Sequence, residues 1–163
     1  MKRLTDAYFR FLKWLLTGLM MLLMVPVFLQ VLSRYVDVVP RYIWTEELAR
    51  FAFIWIVLVG SSIAVREGTH FKIDLFPNLA PHLARRMDVL YVVLMLIAAA
   101  VFVVGGWAFV QFGAIQQSEL AGLPMVTIFA AWPLAGVSWM LFLAEHLDAH
   151  FKQADEGARD GSV

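Results

Sequence analysis

The 163-residue chain contains no cysteine. Disulfides, thiolate metal sites and cysteine nucleophiles are thereby excluded, and redox chemistry gives no clue to the compartment. Charge is scarce as well, at 16% of residues, where soluble domains carry about a quarter. The formal net charge is +0, so no global field points to nucleic acid or to an acidic partner. What the chain has instead is apolar side chains, 61% of the total, gathered in long runs. A soluble domain of this size could not hide them in one core without exposing large apolar patches. A bilayer removes the conflict by acting as the apolar solvent.

Four stretches have charge-free interiors. Trp14 to Ser33 is the first, and about 20 such residues cross a hydrocarbon layer of roughly 30 Å. The second starts near Trp44, with an apolar part from Phe51 to Val65. The third is Val89 to Phe112, and the fourth Met125 to Ala144. A charge at a helix centre costs about 3 kcal/mol, so these empty interiors are the condition for spanning. The predicted fold is an all-α integral membrane protein with four transmembrane helices, at about 14–34, 46–66, 86–113 and 125–146. Pro26 and Pro133 are candidate kinks, which membrane helices tolerate. Residues 1–150 form a single domain, and the polar tail at 151–163 reads as disordered. The first run is too long for a signal h-region and lacks a small-residue cleavage site, so it reads as a retained anchor. No internal repeat is visible.

Between the second and third runs, His70 to Arg86 is too short and too charged to cross. Its apolar Phe71, Ile73, Leu75, Phe76, Leu79 and Leu83 predict an amphipathic interfacial arm over about 70–85. Pro81 suits the first turn of the next helix. Lys2, Arg3, Arg10 and Lys13 precede the first run. Arg66, Lys72, Arg85 and Arg86 lie between the second and third, and Lys152 and Arg159 follow the fourth. The connection between the third and fourth has no Lys or Arg, whereas Arg34, Arg41 and Arg50 flank the first connection. The positive-inside rule favours both termini and the middle connection in the cytoplasm.

Deep polar residues mark substrate paths when they occur. Here they are Thr17, Gln30, Ser61, Ser62, Gln111 and Ser138, types that usually bond their own backbone or help helices pack. His70, His82, His146 and His150 sit at run edges or between runs. His146 and His150 have a metal-like spacing of four, but no third ligand stands beside them. No metal, cofactor or catalytic residue is assigned. The most informative polar feature is WTEELARFAFIW. Glu46 and Arg50 are four apart and Glu47 and Arg50 three apart, so both pairs share one helix face. Both acids lie near a helix N-terminus, where the macrodipole favours them. Arg34 could reach the group across the short connection, with Trp44 as a belt anchor. Two readings stand together: an ion-pair brace for the first hairpin, and a docking surface for another protein. Gly60, Ser61 and Ala64, with Gly105, Gly106 and Gly113, predict close helix packing, within the chain or against a partner.

WTEELARFAFIW followed by GSSIAVREGTHFKID resembles the signature of the small membrane subunit of tripartite ATP-independent periplasmic (TRAP) transporters. The matching positions are Arg34 and Tyr35, then Trp44, Glu46, Glu47, Ala49 and Arg50, then Gly60, Ala64, Arg66, Gly68, His70 and Asp74. The order of runs agrees from about Trp14 to Leu147. Residues 36–43 and the fourth run carry no matching motif. The resemblance implies a small permease subunit in the bacterial inner membrane, with a large membrane subunit and a periplasmic substrate-binding protein as partners. It implies import of organic acids such as dicarboxylates or sialic acid, driven by an ion gradient, usually sodium. The large subunit would hold the substrate and this one would act as its scaffold. Two alternatives remain at this stage. A self-sufficient dimeric transporter would need an intramembrane carboxylate, with Glu47 as candidate. A membrane anchor of a redox complex would need buried haem ligands.

Overall fold

The computed structural model describes residues 2–36, 40, 42–67, 81–119 and 121–160. Within them are α1 (Lys2–Tyr35), α2 (Trp44–Glu67), α3 (Pro81–Gly113), the single turn α4 (Val126–Phe129) and α5 (Ala131–Asp160). Four segments are long and apolar enough to cross a membrane: Arg3–Tyr35, Trp44–Glu67, Val89–Gly113 and Val126–Leu147. Among the described residues the remaining pairing is one isolated bridge, Gln117 with Pro124. Helices are the expected outcome, because hydrocarbon offers no partner to a free backbone N–H or C=O.

The helices lie in a row, α1–α2–α5–α3. Leu12 of α1 packs with Val59 and Ile63 of α2 and with Phe142 of α5. Leu58 of α2 meets Ala131 and Ala135 of α5, and Ala99 of α3 meets Trp139 and Leu143 of α5. α2 and α5 run parallel, with α1 and α3 antiparallel on the outside. The burial pattern follows this order. A third of the α2 span and 44% of the α4–α5 span are buried, against 6% of α1 and 11% of α3. Trp14, Met21, Met24 and Phe28 on α1, and Val101, Val104 and Trp107 on α3, are exposed. In water such faces would aggregate; in a bilayer they meet acyl chains.

Lipid tails are as apolar as leucine, so close packing rather than water exclusion holds membrane helices together. The α3/α5 seam shows how. A Cβ on Gly106 would lie 2.7 Å from the ring and backbone nitrogen of Pro133, and one on Gly136 would lie 2.8 Å from the Ala99 carbonyl oxygen. Gly113 is close against Phe129 in the same way. Gly60 and Gly105 have no atom within 4 Å of such a Cβ, so these two do not bring helices together within the chain.

Pro26 is buried in an uninterrupted α1. Pro133 stands instead at a break. Helical bonding stops at Ala130 N to Val126 O (2.9 Å) and resumes at Leu134 N to Ala130 O (3.3 Å). Pro133 has no N–H to offer the Phe129 carbonyl. The Thr127 carbonyl, within the interruption, accepts the Trp55 indole N–H at 2.8 Å. α1 begins well before residue 14, because Arg10 and Lys13 sit on a helix that continues through them. α5 runs on to Asp160, so 151–160 is helical where sequence predicted disorder. Lys152, Gln153, Ala154 and Glu156 are good helix formers. The predicted arm at 70–85 falls largely outside the described residues.

Candidate functional site

The deep hydroxyls are taken up locally. Thr17 donates to the Lys13 carbonyl (3.0 Å), and Ser61 and Ser62 donate to that of Leu58 (2.8 and 2.9 Å). Ser138 donates to Leu134 O at 2.7 Å and also meets the Tyr8 hydroxyl at 2.7 Å. The charged chemistry gathers at the two ends of the row.

At one end, where α1 starts and α2 finishes, Arg66 ties three helices together. Its Nε donates to Glu145 Oε2 of α5 at 3.2 Å and its Nη2 to Glu145 Oε1 at 3.3 Å. Nη2 also pairs with Asp6 of α1. The guanidinium lies over the Phe9 ring, 4.4 Å from its centroid, and 5.5 Å from that of Phe142. Thr5 donates to Glu145 Oε1 at 3.1 Å. Lys13 pairs with Glu67 at 2.8 Å and also covers Phe9. The sequence singled out Arg66 but neither Asp6 nor Glu145. Those partners lie 60 and 79 residues away, and only the helix order brings them together.

At the other end are the α1–α2 and α3–α4 connections. Glu47 is buried, at 9% exposure, and its Oε2 accepts the Ala121 backbone N–H at 2.7 Å. The receiving loop is tight. Ser118 N–H donates to Leu123 O (2.8 Å), Met125 N–H to Gln116 O (3.0 Å), and Gly122 turns the chain at φ +63°. That left-handed conformation suits glycine. Gln30 Nε2 reaches Thr45 Oγ1 at 3.4 Å, and Thr45 Oγ1 donates to Tyr42 O at 2.6 Å.

Among the described residues no salt bridge joins Glu46 or Glu47 to Arg50, and none reaches Arg34; the bridges present are at the Arg66 end. Glu46, Arg50 and Arg34 are exposed, and exposed pairs gain too little to fix long side chains in one geometry. Glu47 faces the α3–α4 loop instead. Trp44 opens α2, 40% exposed, with its ring 6.0 Å from that of Tyr42. Gly68, His70 and Asp74 lie outside the described residues. Among the described residues no group of three or more His, Asp or Glu could hold a metal ion.

Residues 23–152 match the family described as "Tripartite ATP-independent periplasmic transporters, DctQ component". A putative TRAP transporter small permease protein of Haemophilus influenzae is 27% identical over 84% of this chain and 85% of its own length. The sialic acid TRAP transporter small permease protein SiaQ of Vibrio cholerae is 31% identical over 61% of this chain and 58% of its own. The sialic acid TRAP transporter permease protein SiaT of Haemophilus influenzae is 32% identical over 76% of this chain, which spans only 20% of that longer protein. With four apolar helices, charge confined to their ends and a family match over most of its length, the chain is a multi-pass membrane protein that belongs to the DctQ component of the TRAP transporters, a family of permease subunits and not of enzymes.

Proposed function

We propose that this chain is the small permease subunit of a TRAP-type secondary transporter importing organic acids, of the dicarboxylate or sialic acid class, on a sodium gradient. It acts as a scaffold for a large membrane subunit, which handles substrate delivered by a periplasmic binding protein. The basic residues at the Arg66 end and in the flanking segments support an inner-membrane orientation with both termini cytoplasmic.

Arg50 carries this reading. It lies in the first two turns of α2, at the edge of the apolar part of the second span, is exposed, and has no ion-pair partner among the described residues. At that edge an unpaired guanidinium must reach up to the headgroups, and an acidic or carbonyl-rich surface of a neighbouring subunit gives it a partner in place. Trp44, Glu46 and Arg34 extend the same end of the row as docking surface, while Glu47 fixes the loop beside it. The motif residues Gly60, Arg66, Gly68, His70 and Asp74 are assigned to the opposite, cytoplasmic end and its arm, with Gly60 on the way there. Matches to only 20% of SiaT and 11% of an isethionate TRAP transporter permease named DctMQ support a small unit that also occurs joined to a larger one.

Reconstitution tests the division of labour. In proteoliposomes under an inward sodium gradient, uptake of sialic acid or a four-carbon dicarboxylate requires the large subunit and binding protein together with this chain. Uptake by this chain alone would refute the scaffold role.

A further inference from the structure

At the α1–α2 connection a cavity of about 450 Å³ opens between the helix ends, lined by Gln30, Ser33, Arg34, Tyr42, Thr45 and Glu46. Its volume is in the range of small-ligand sites, about 300–1,000 Å³. The charged residues of its described lining, Arg34 and Glu46, are opposite in sign. Neither Arg34 nor Glu46 forms a salt bridge among the described residues, with each other or with anything else. The neighbouring hydroxyls are already turned inward: Ser33 donates to Gln30 O at 2.9 Å, and Thr45 to Tyr42 O. The Arg34 guanidinium and the Tyr42 hydroxyl make no hydrogen bond among the described residues and keep their donors for a ligand.

The surroundings set the depth. Tyr35, Tyr42 and Trp44 are 82%, 45% and 40% exposed around this end, and Ile43 is 63% exposed. Amphipathic rings of this kind sit at the headgroup level of a membrane. The apolar Leu29 and Ile43 also belong to the described lining, a surface that acyl chains can meet. We propose that this cavity holds the headgroup of a phospholipid that carries a primary ammonium, the phosphodiester on Arg34 and Tyr42 and the ammonium on Glu46. A purely anionic headgroup would meet the Glu46 carboxylate. A quaternary ammonium has no N–H to donate to it. Phosphatidylethanolamine satisfies both ends.

The test uses the full chain, purified in mild detergent with whatever subunit accompanies it, stripped of lipid, and exposed to phosphatidylethanolamine, phosphatidylcholine or phosphatidylglycerol. Bound lipid is counted by native mass spectrometry. The wild type retains phosphatidylethanolamine in preference to the other two. Arg34→Gln lowers that retention by about tenfold, the loss of one charge-assisted hydrogen bond, and Arg34→Lys recovers part of it. Glu46→Gln removes the preference over phosphatidylcholine. Both residues are exposed and form no salt bridge among the described residues, so the thermal midpoints of these variants of the chain alone stay at the wild-type value; because both also stand in the docking surface, retention is compared at matched recovery of the large subunit. Three results would each overturn the proposal: unchanged retention in Arg34→Gln, no preference among the three lipids in the wild type, or equal binding of soluble glycerophosphoethanolamine. Such a failure would leave the subunit assignment intact, since that is tested by co-purification and uptake.

Discussion

Glu47 is a buried carboxylate near the start of a span, and the backbone of a distant loop helps to satisfy it. Its 2.7 Å bond to Ala121 N–H joins the start of α2 to a loop 74 residues on, and it is charge-assisted, the stronger kind. Glu47→Ala would leave that amide only its longer bond to the Ser118 hydroxyl, at 3.3 Å, a cost of about 1 kcal/mol. Faster hydrogen exchange at Ala121 and a lower thermal midpoint in detergent are the expected result; Glu47→Gln keeps an acceptor and loses less. Unchanged exchange in Glu47→Ala would mean the bond does not hold the loop. Arg66 offers a graded comparison, because its acids differ in exposure: 24% for Glu145 and 57% for Asp6. Water screens the second more. Double-mutant cycles should give an Arg66–Glu145 coupling above about 1 kcal/mol and an Arg66–Asp6 coupling below it. The reverse order would show that exposure is not what ranks them. Sequence spacing suggested that Glu47 and Arg50 meet, since residues three apart share a helix face. Spacing says which groups are neighbours on one helix, and says nothing of a backbone donor on another.

At the scale of elements, composition revealed what is local. Runs without charge mark the spans, because inserting a charge is costly, and Pro133 marked the interruption of the fourth, because a missing N–H has a local effect. Helix adjacency was not legible. Gly105 and Gly106 look alike in sequence, yet only Gly106 faces α5, against Pro133. Gly136, which the sequence reading did not single out, sits against the Ala99 carbonyl. The obstructing atoms are partly backbone and cannot swing away, so Gly106→Ala and Gly136→Ala should each destabilise the α3/α5 seam by about 1–3 kcal/mol, read as a fall in thermal midpoint. Gly105→Ala, with open space around it, should leave the midpoint unchanged. Equal effects at 105 and 106 would contradict the seam. The Arg66 group was legible by one member only, since Asp6 and Glu145 belong to helices whose order no local pattern encodes.

The whole molecule is a flat row of four spans with its ionic groups at the rims and its outer helices bare. Such a shape takes up most of its deep hydroxyls, and leaves Arg50 exposed and without an ion pair among the described residues near the start of the second span. The central claim is that a larger membrane subunit covers that residue. The most direct measurement is recovery of the large TRAP subunit with an affinity-tagged version of this chain from detergent-solubilised membranes, comparing wild type with Arg50→Ala and Arg50→Lys at matched expression. The account predicts a complex with the wild type, weaker recovery with Arg50→Lys and about a tenfold loss with Arg50→Ala, the size expected for a desolvated charge contact. Full recovery of the large subunit with Arg50→Ala, or no large subunit with the wild type, would contradict it.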